Sequence, residues 1–154
     1  MSEPVWPQGC KGAVSLTFDD GTSSQLTEAV PRLDDAGLSG TFYLNPHRGH
    51  WDADAESWRA VGMAGHELGN HTTRHPCSCN YHFDADFCLE KISLQDMADT
   101  IDAAQTALDD IHPEGRDARS FCYPCYQTFV GAGATRHSYV PVVAARFRAA
   151  RAGG

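Results

Sequence analysis

Two carboxylates side by side, Asp19 and Asp20, stand before Gly21 at the end of the apolar run AVSLTFDDG. Neighbouring acids repel and are costly to bury, so such a pair calls for something to hold. His71 and His75 follow GHELGN, residues 65 to 70. On a helical turn their spacing sets two imidazoles on one side, able to supply two nitrogens to one divalent metal. A carboxylate from another strand end would complete a two-His, one-carboxylate set that leaves room for water and substrate. The second aspartate can then take a proton from that water. Each signal has a plainer alternative. Asp-Asp-Gly also reads as a helix cap and turn, and among eight histidines a pair at this spacing also arises as surface polarity.

These residues need elements that bring them together. Val14, Leu16 and Phe18 alternate at period two over residues 13 to 18, which predicts a strand ending at the two acids. Leu26, Ala29, Val30 and Leu33 predict a helix from Thr22 or Ser23 to Ala36, with Pro31 as an internal kink and Gly37 at its end. Residues 40 to 44 predict a strand, 52 to 63 a helix with Trp58 and Val61 inward, and His66 to Gly69 a short strand. Ile92, Leu94, Met97, Ile101, Ala104, Leu108 and Ile111 mark a long amphipathic helix over 92 to 111. Its acids Asp96, Asp99, Asp102, Asp109 and Asp110 read as a solvated face. Residues 120 to 123 predict another strand, and 139 to 150 a helix or a helix with a strand. Strand and helix alternate, as in parallel α/β folds, where reactive groups gather at the carboxyl ends of strands. Asp19 and Asp20, His71 and His75, and Tyr123–Pro124–Cys125 all fall at such ends.

The chain has 154 residues, 42% hydrophobic, enough for one domain core and too few for two, so residues 1–154 are expected to form a single domain. A net charge of −8 and the lack of a Lys/Arg stripe weigh against nucleic acid. The start, MSEPVWPQGCKG, has neither a basic nor an apolar signal region, and no apolar run reaches the roughly 20 residues of a membrane span. As written, the chain is expected to be cytoplasmic.

LTFDDG (16 to 21), TFYLN (41 to 45), GHELGNHTTRHP (65 to 76) and FCYPC (121 to 125) stand in the order and spacing of the polysaccharide deacetylase family, the NodB-homology or carbohydrate esterase family 4 domain. The resemblance runs over roughly residues 13 to 151. It implies a distorted (β/α) barrel that removes acetyl groups from N- or O-acetylated carbohydrate with a divalent metal, zinc being the expected ion. Carried over by position, Asp19 is the general base, and Asp20, His71 and His75 are the metal ligands. Tyr123 and Pro124 border substrate, and the backbone N–H of Cys125 faces the oxyanion. Cys122 stands where this family often has arginine, Cys125 where it often has tyrosine, and Tyr126 where a TyrPro form of the motif has glycine.

After Pro124 nothing matches the aspartate-containing fourth motif or the Leu-x-His fifth motif that carries the family's general acid. His137 reads as a loop residue, and Arg151 as a partner for the base aspartate. The expectation is a barrel lacking its C-terminal strands, its open edge covered by a second copy in a homodimer. Two alternatives stay open: a small-molecule C–N hydrolase of the same fold, and a metal-binding remnant with little activity. Six cysteines, including Cys77-x-Cys79 and Cys122-x-x-Cys125, are read first as ordinary thiols, ahead of a disulfide or a second zinc site. His47, His50 and Trp51 read as exposed loop polarity, with an aromatic ring at hand to stack on a sugar.

Overall fold

The computed structural model describes residues 9–153; the reading of the N-terminal stretch falls largely on residues 1–8, outside that range. Five parallel strands, β1 (Thr17–Asp19), β2 (Thr41–Leu44), β3 (Glu67–Asn70), β4 (Phe121–Cys122) and β7 (Ala150–Arg151), form one sheet in the order β1-β2-β3-β4-β7. Every neighbour in the sheet is a sequence neighbour among these five, so the sheet curls as half of a (β/α) barrel. A hairpin of β5 (Phe129–Val130) and β6 (His137–Ser138) lies outside it, and His137, expected in a loop, belongs to β6.

The connecting helices follow the apolar pattern with local corrections. Strand β1 starts later than residue 13 because its partner β2 begins at Thr41, opposite Thr17. Upstream residues have no strand to pair with, and Val14 is 86% exposed. The first helix opens as a π-helical turn, Gln25–Ala29, before α1 (Val30–Asp35). Pro31 has no N–H to donate and crowds the preceding turn, and the wider turn accommodates both faults. Helix α2 (Trp51–Met63) turns Trp58 and Val61 inward, where they meet Phe42, Leu44 and Leu68.

Helix α3 (Leu94–Ile111) opens on a reciprocal cap: the Ser93 hydroxyl accepts from the Asp96 N–H, and the Asp96 carboxylate accepts from the Ser93 N–H. Its inward residues Met97 and Ile101 pack with Phe121, Tyr123 and Tyr139, and Leu108 reaches the other cluster around Phe42. The acids of α3 are not uniformly solvated. Asp109 receives the Arg119 guanidinium at 2.5 Å, and Arg119, 2% exposed, also donates to the carbonyl oxygens of Leu68 and His112. These bonds satisfy the buried charge and staple the end of α3 to β3. Residues 139 to 150 resolve into α4 (Val140–Ala144) and the approach to β7.

Candidate active site

His71 and His75 leave the end of β3 in an irregular loop, where the spacing had predicted a helical turn. Thr72 and His75 take left-handed φ angles of 64° and 48°, incompatible with a continuous helix. The loop is bonded from beneath. The Asn70 carboxamide oxygen accepts from the Thr72 N–H at 2.9 Å, and the Thr73 hydroxyl meets that of Thr100 on α3 at 2.7 Å. Asn45, at the end of β2, donates to the carbonyl oxygens of His71 and Thr72 at 2.5 and 3.1 Å. Asn45 and Thr100 were not singled out in the sequence as supporting residues. The strand-end position of Asn45 was the available signal, whereas Thr100 lies far away in the chain and carries none.

These contacts settle which imidazole nitrogen is free. His71 is 2% exposed, and its Nδ1 lies 2.7 Å from the carbonyl oxygen of Cys122. A carbonyl only accepts, so Nδ1 carries the proton and Nε2 presents a lone pair. Burial, followed by the neighbouring His75 charge, pushes the His71 pKa down to about 4. Burial also lowers that of His75. Both imidazoles are therefore disposed to be neutral near pH 7, as ligands must be. Their Nε2 atoms stand 3.7 and 3.4 Å from Asp20 Oδ1. One ligand atom from each of Asp20, His71 and His75 lies within 4.8 Å of the others. An unprotonated Nε2 on His71, the neutral imidazole of His75 and a half-exposed carboxylate fit a divalent ion with open positions toward solvent.

The two acids point to different partners. Asp20 has a φ of 76°, and this left-handed turn swings its side chain toward the histidines. Gly21 continues the turn at φ 59°, and a Cβ there would press against Leu44 at 3.0 Å. Asp19 stays on the strand. Its Oδ1 pairs with the guanidinium of Arg151 on β7, and its Oδ2 lies 3.7 Å from the Cys122 thiol on β4. Cys122 and Arg151 are register partners across β4 and β7, so their side chains share one face beside Asp19. The Arg151 guanidinium also lies 5.1 Å from the centre of the Tyr43 ring.

The cysteines depart from the expectation of ordinary thiols. Cys77 is bonded to Cys125, with Cα atoms 5.6 Å apart, and Cys79 to Cys88. Only Cys10 and Cys122 are free among the described residues. Sequence spacing pairs near neighbours, whereas the fold sets the loop after β3 against the loop after β4 across 48 residues. The first bond ties the His75 loop to Cys125, whose φ of 48° turns the backbone beside it. Tyr123, by contrast, is 5% exposed and packs its ring on Phe121 and Tyr139, and Pro124 is buried. The structure thus brings Asp19, Asp20, His71, His75 and Cys125 together, with the Tyr123 ring in the core behind them.

Asp20 and His75 open onto a cleft of about 510 Å³, also lined by Asn45, Arg48, His50 and Phe83. Of the other described histidines, His50 alone lines this cleft. Trp51 starts α2 and packs toward the core, so it is not the exposed ring that the loop reading offered. Phe83, which the sequence reading passed over, is 68% exposed at the cleft.

Solved structures share this fold. A deacetylase from Streptococcus pyogenes solved with acetate superposes with a TM-score of 0.65 at 18% identity, over 89% of this chain and 54% of its own. A family 4 carbohydrate esterase from Streptomyces lividans, also solved with acetate, gives 0.62 at 25% identity, over 91% and 62%. A family 4 acetyl xylan esterase from Clostridium thermocellum, solved with a cobalt ion, gives 0.54 at 24% identity, over 71% and 47%. The chain thus spans about half the length of these solved proteins. A comparison with curated proteins gives no match. The family profile described as polysaccharide deacetylase matches residues 7–129, most of the sequence, and the chain belongs to the polysaccharide deacetylase family.

Proposed function

We propose that the chain is a metal-dependent hydrolase that removes acetyl groups from N- or O-acetylated carbohydrate, with Asp20, His71 and His75 holding a divalent ion, zinc for choice. The observation that carries this reading is the convergence of three ligand atoms within 4.8 Å on an open cleft, beside a second carboxylate with its own partners. A bound divalent ion would supply a Lewis acid, making a water a better nucleophile near neutrality and drawing charge onto the acyl oxygen.

The remaining work falls to side chains in place. Asp19 takes the proton of the attacking water on its carboxylate. Arg151 holds one oxygen of that carboxylate and so fixes the direction of the other. The Cys125 backbone N–H donates to the oxyanion as it forms, its loop held by the bond to Cys77. His71 keeps Nε2 unprotonated because Cys122's carbonyl occupies Nδ1. His50, which lines the same cleft, would return a proton to the leaving group.

Acetate release from acetylated chito- and xylo-oligosaccharides tests the reading. It should require added divalent metal and fall ~100- to 10,000-fold in Asp19→Asn. Retention of metal by that variant would separate base from ligand; retention of activity would remove Asp19 from the proposed role.

A further inference from the structure

We propose that Tyr81 and Phe83 form a sugar-stacking subsite at the rim of the cleft, a place for a pyranose ring next to the one that bears the acetyl group. The inference rests on the deacetylase reading and extends it to an oligomeric substrate. The two rings stack on each other with centroids 5.5 Å apart and planes 12° apart, and they remain 54% and 68% exposed. Phe83 lines the same cleft as Asp20 and His75, so the pair is continuous with the proposed reaction centre.

Exposed rings on a mobile loop would mean little, but this loop is tied at each end. Cys79 is bonded to Cys88, closing the segment into a ring of chain. Inside it Asp84 Oδ1 accepts from the N–H groups of Asp86 and Phe87 at 3.1 and 3.0 Å. Arg74, from the His71–His75 loop, donates to Asp84 at 2.6 Å and lies 3.8 Å above the Phe87 ring. The chain turns through a left-handed φ of 56° at His82, between the two aromatic residues. The rings are thereby presented with little conformational freedom left to lose on binding.

The surroundings point to a sugar. A pyranose offers a face of C–H groups to an aromatic ring and a rim of hydroxyls to polar groups. Phe83 supplies the first, and Arg48, His50 and Asp54 in the same cleft supply the second. The net charge of −8 disfavours a polyanionic glycan and leaves a neutral acetylated one favoured.

The test is binding, measured by calorimetry and by NMR shifts of the ring protons, in an Asp19→Asn background so that the ligand persists. The probes are N-acetylglucosamine oligomers of one, three and five units and acetylated xylo-oligosaccharides. At least one oligomer series should bind more tightly than its monomer and shift the Tyr81 and Phe83 signals. Phe83→Ala and Tyr81→Ala should each weaken the oligomer about tenfold, while Phe83→Trp preserves affinity. Circular dichroism and intact-mass counts of the two disulfides establish that each variant is folded. Length-independent affinity, or unchanged affinity in folded Phe83→Ala, would overturn the subsite, as would no binding by any probe. Self-association lost in Phe83→Ala would assign the patch to a second copy and overturn it too. If acetate release fails while ring-dependent oligomer binding holds, the catalytic reading falls and the subsite stands.

Discussion

Asp19 and Asp20 share a peptide bond and almost nothing else. One faces an arginine and a thiol, the other two imidazoles, and the left-handed turn between strand and loop sends them apart. Replacing Asp20 by Ala or His75 by Gln should lower zinc affinity by at least about a hundredfold, since each would remove one of the three proposed protein ligands. Calorimetric titration reads this directly, and unchanged affinity would put the ion elsewhere. Cys122 provides a contrasting expectation. Burial, then the charge of Asp19, pushes its thiol up to about 12, so almost no thiolate exists at ordinary pH. Iodoacetamide at pH 8 should label exposed Cys10 and spare Cys122, as read by peptide mass spectrometry. Rapid labelling of Cys122 in the folded protein would contradict the burial argument.

Strands β4 and β7 suggest how Asp19, the proposed base, is held despite the cysteine at position 122. Cys122 and Arg151 are opposite each other in the ladder, so the small thiol leaves room for the guanidinium from the next strand to reach Asp19. Arg151→Ala should reduce acetate release by about 10- to 100-fold, the usual cost of losing an orienting partner. Adding Cys122→Arg to that variant should recover part of the loss, because the guanidinium returns from the adjacent strand. No recovery in a folded double variant would separate the two positions. This relation is only half legible in sequence. The strand ends, the long helix α3 and the residues proposed as ligands stood out because period and spacing are local. Loop shape at His71–His75 and the Cys77–Cys125 bond did not, because they depend on Thr100, Asn45 and Cys125 arriving from distant parts of the chain. The β5–β6 hairpin was missed for a related reason: two-residue strands show no period.

The half-barrel as a whole leans on covalent and titratable contacts as well as on its core. The Cys77–Cys125 bond closes a long loop, and losing it in Cys77→Ser should cost about 4 kcal/mol on the chain-entropy account, seen as a lower midpoint in denaturant. Two such bonds persist best in an oxidising compartment. No described helix is long and apolar enough to cross a membrane. Acid should weaken the metal-free fold. The unfolded state takes up a proton on His71 near pH 6.5, the folded state only near 4, so stability falls as pH drops through that window. Thermal unfolding in chelator should show the decline, and His71→Asn should flatten it. Strands β1 and β7 end the sheet with unpaired edges among the described residues, and we propose that a homodimer covers one of them, to be read by sedimentation equilibrium.

We propose that Asp20 holds a metal while its neighbour Asp19 serves as the base. The most direct measurement is acetate release from acetylated oligosaccharide as divalent zinc is titrated into metal-free wild type and Asp19→Asn. Release should saturate at one ion per wild-type chain, and the Asp19→Asn protein should bind the ion equally but release ~100- to 10,000-fold less acetate. Equal release from both proteins, or none from wild type at saturating metal, would contradict it.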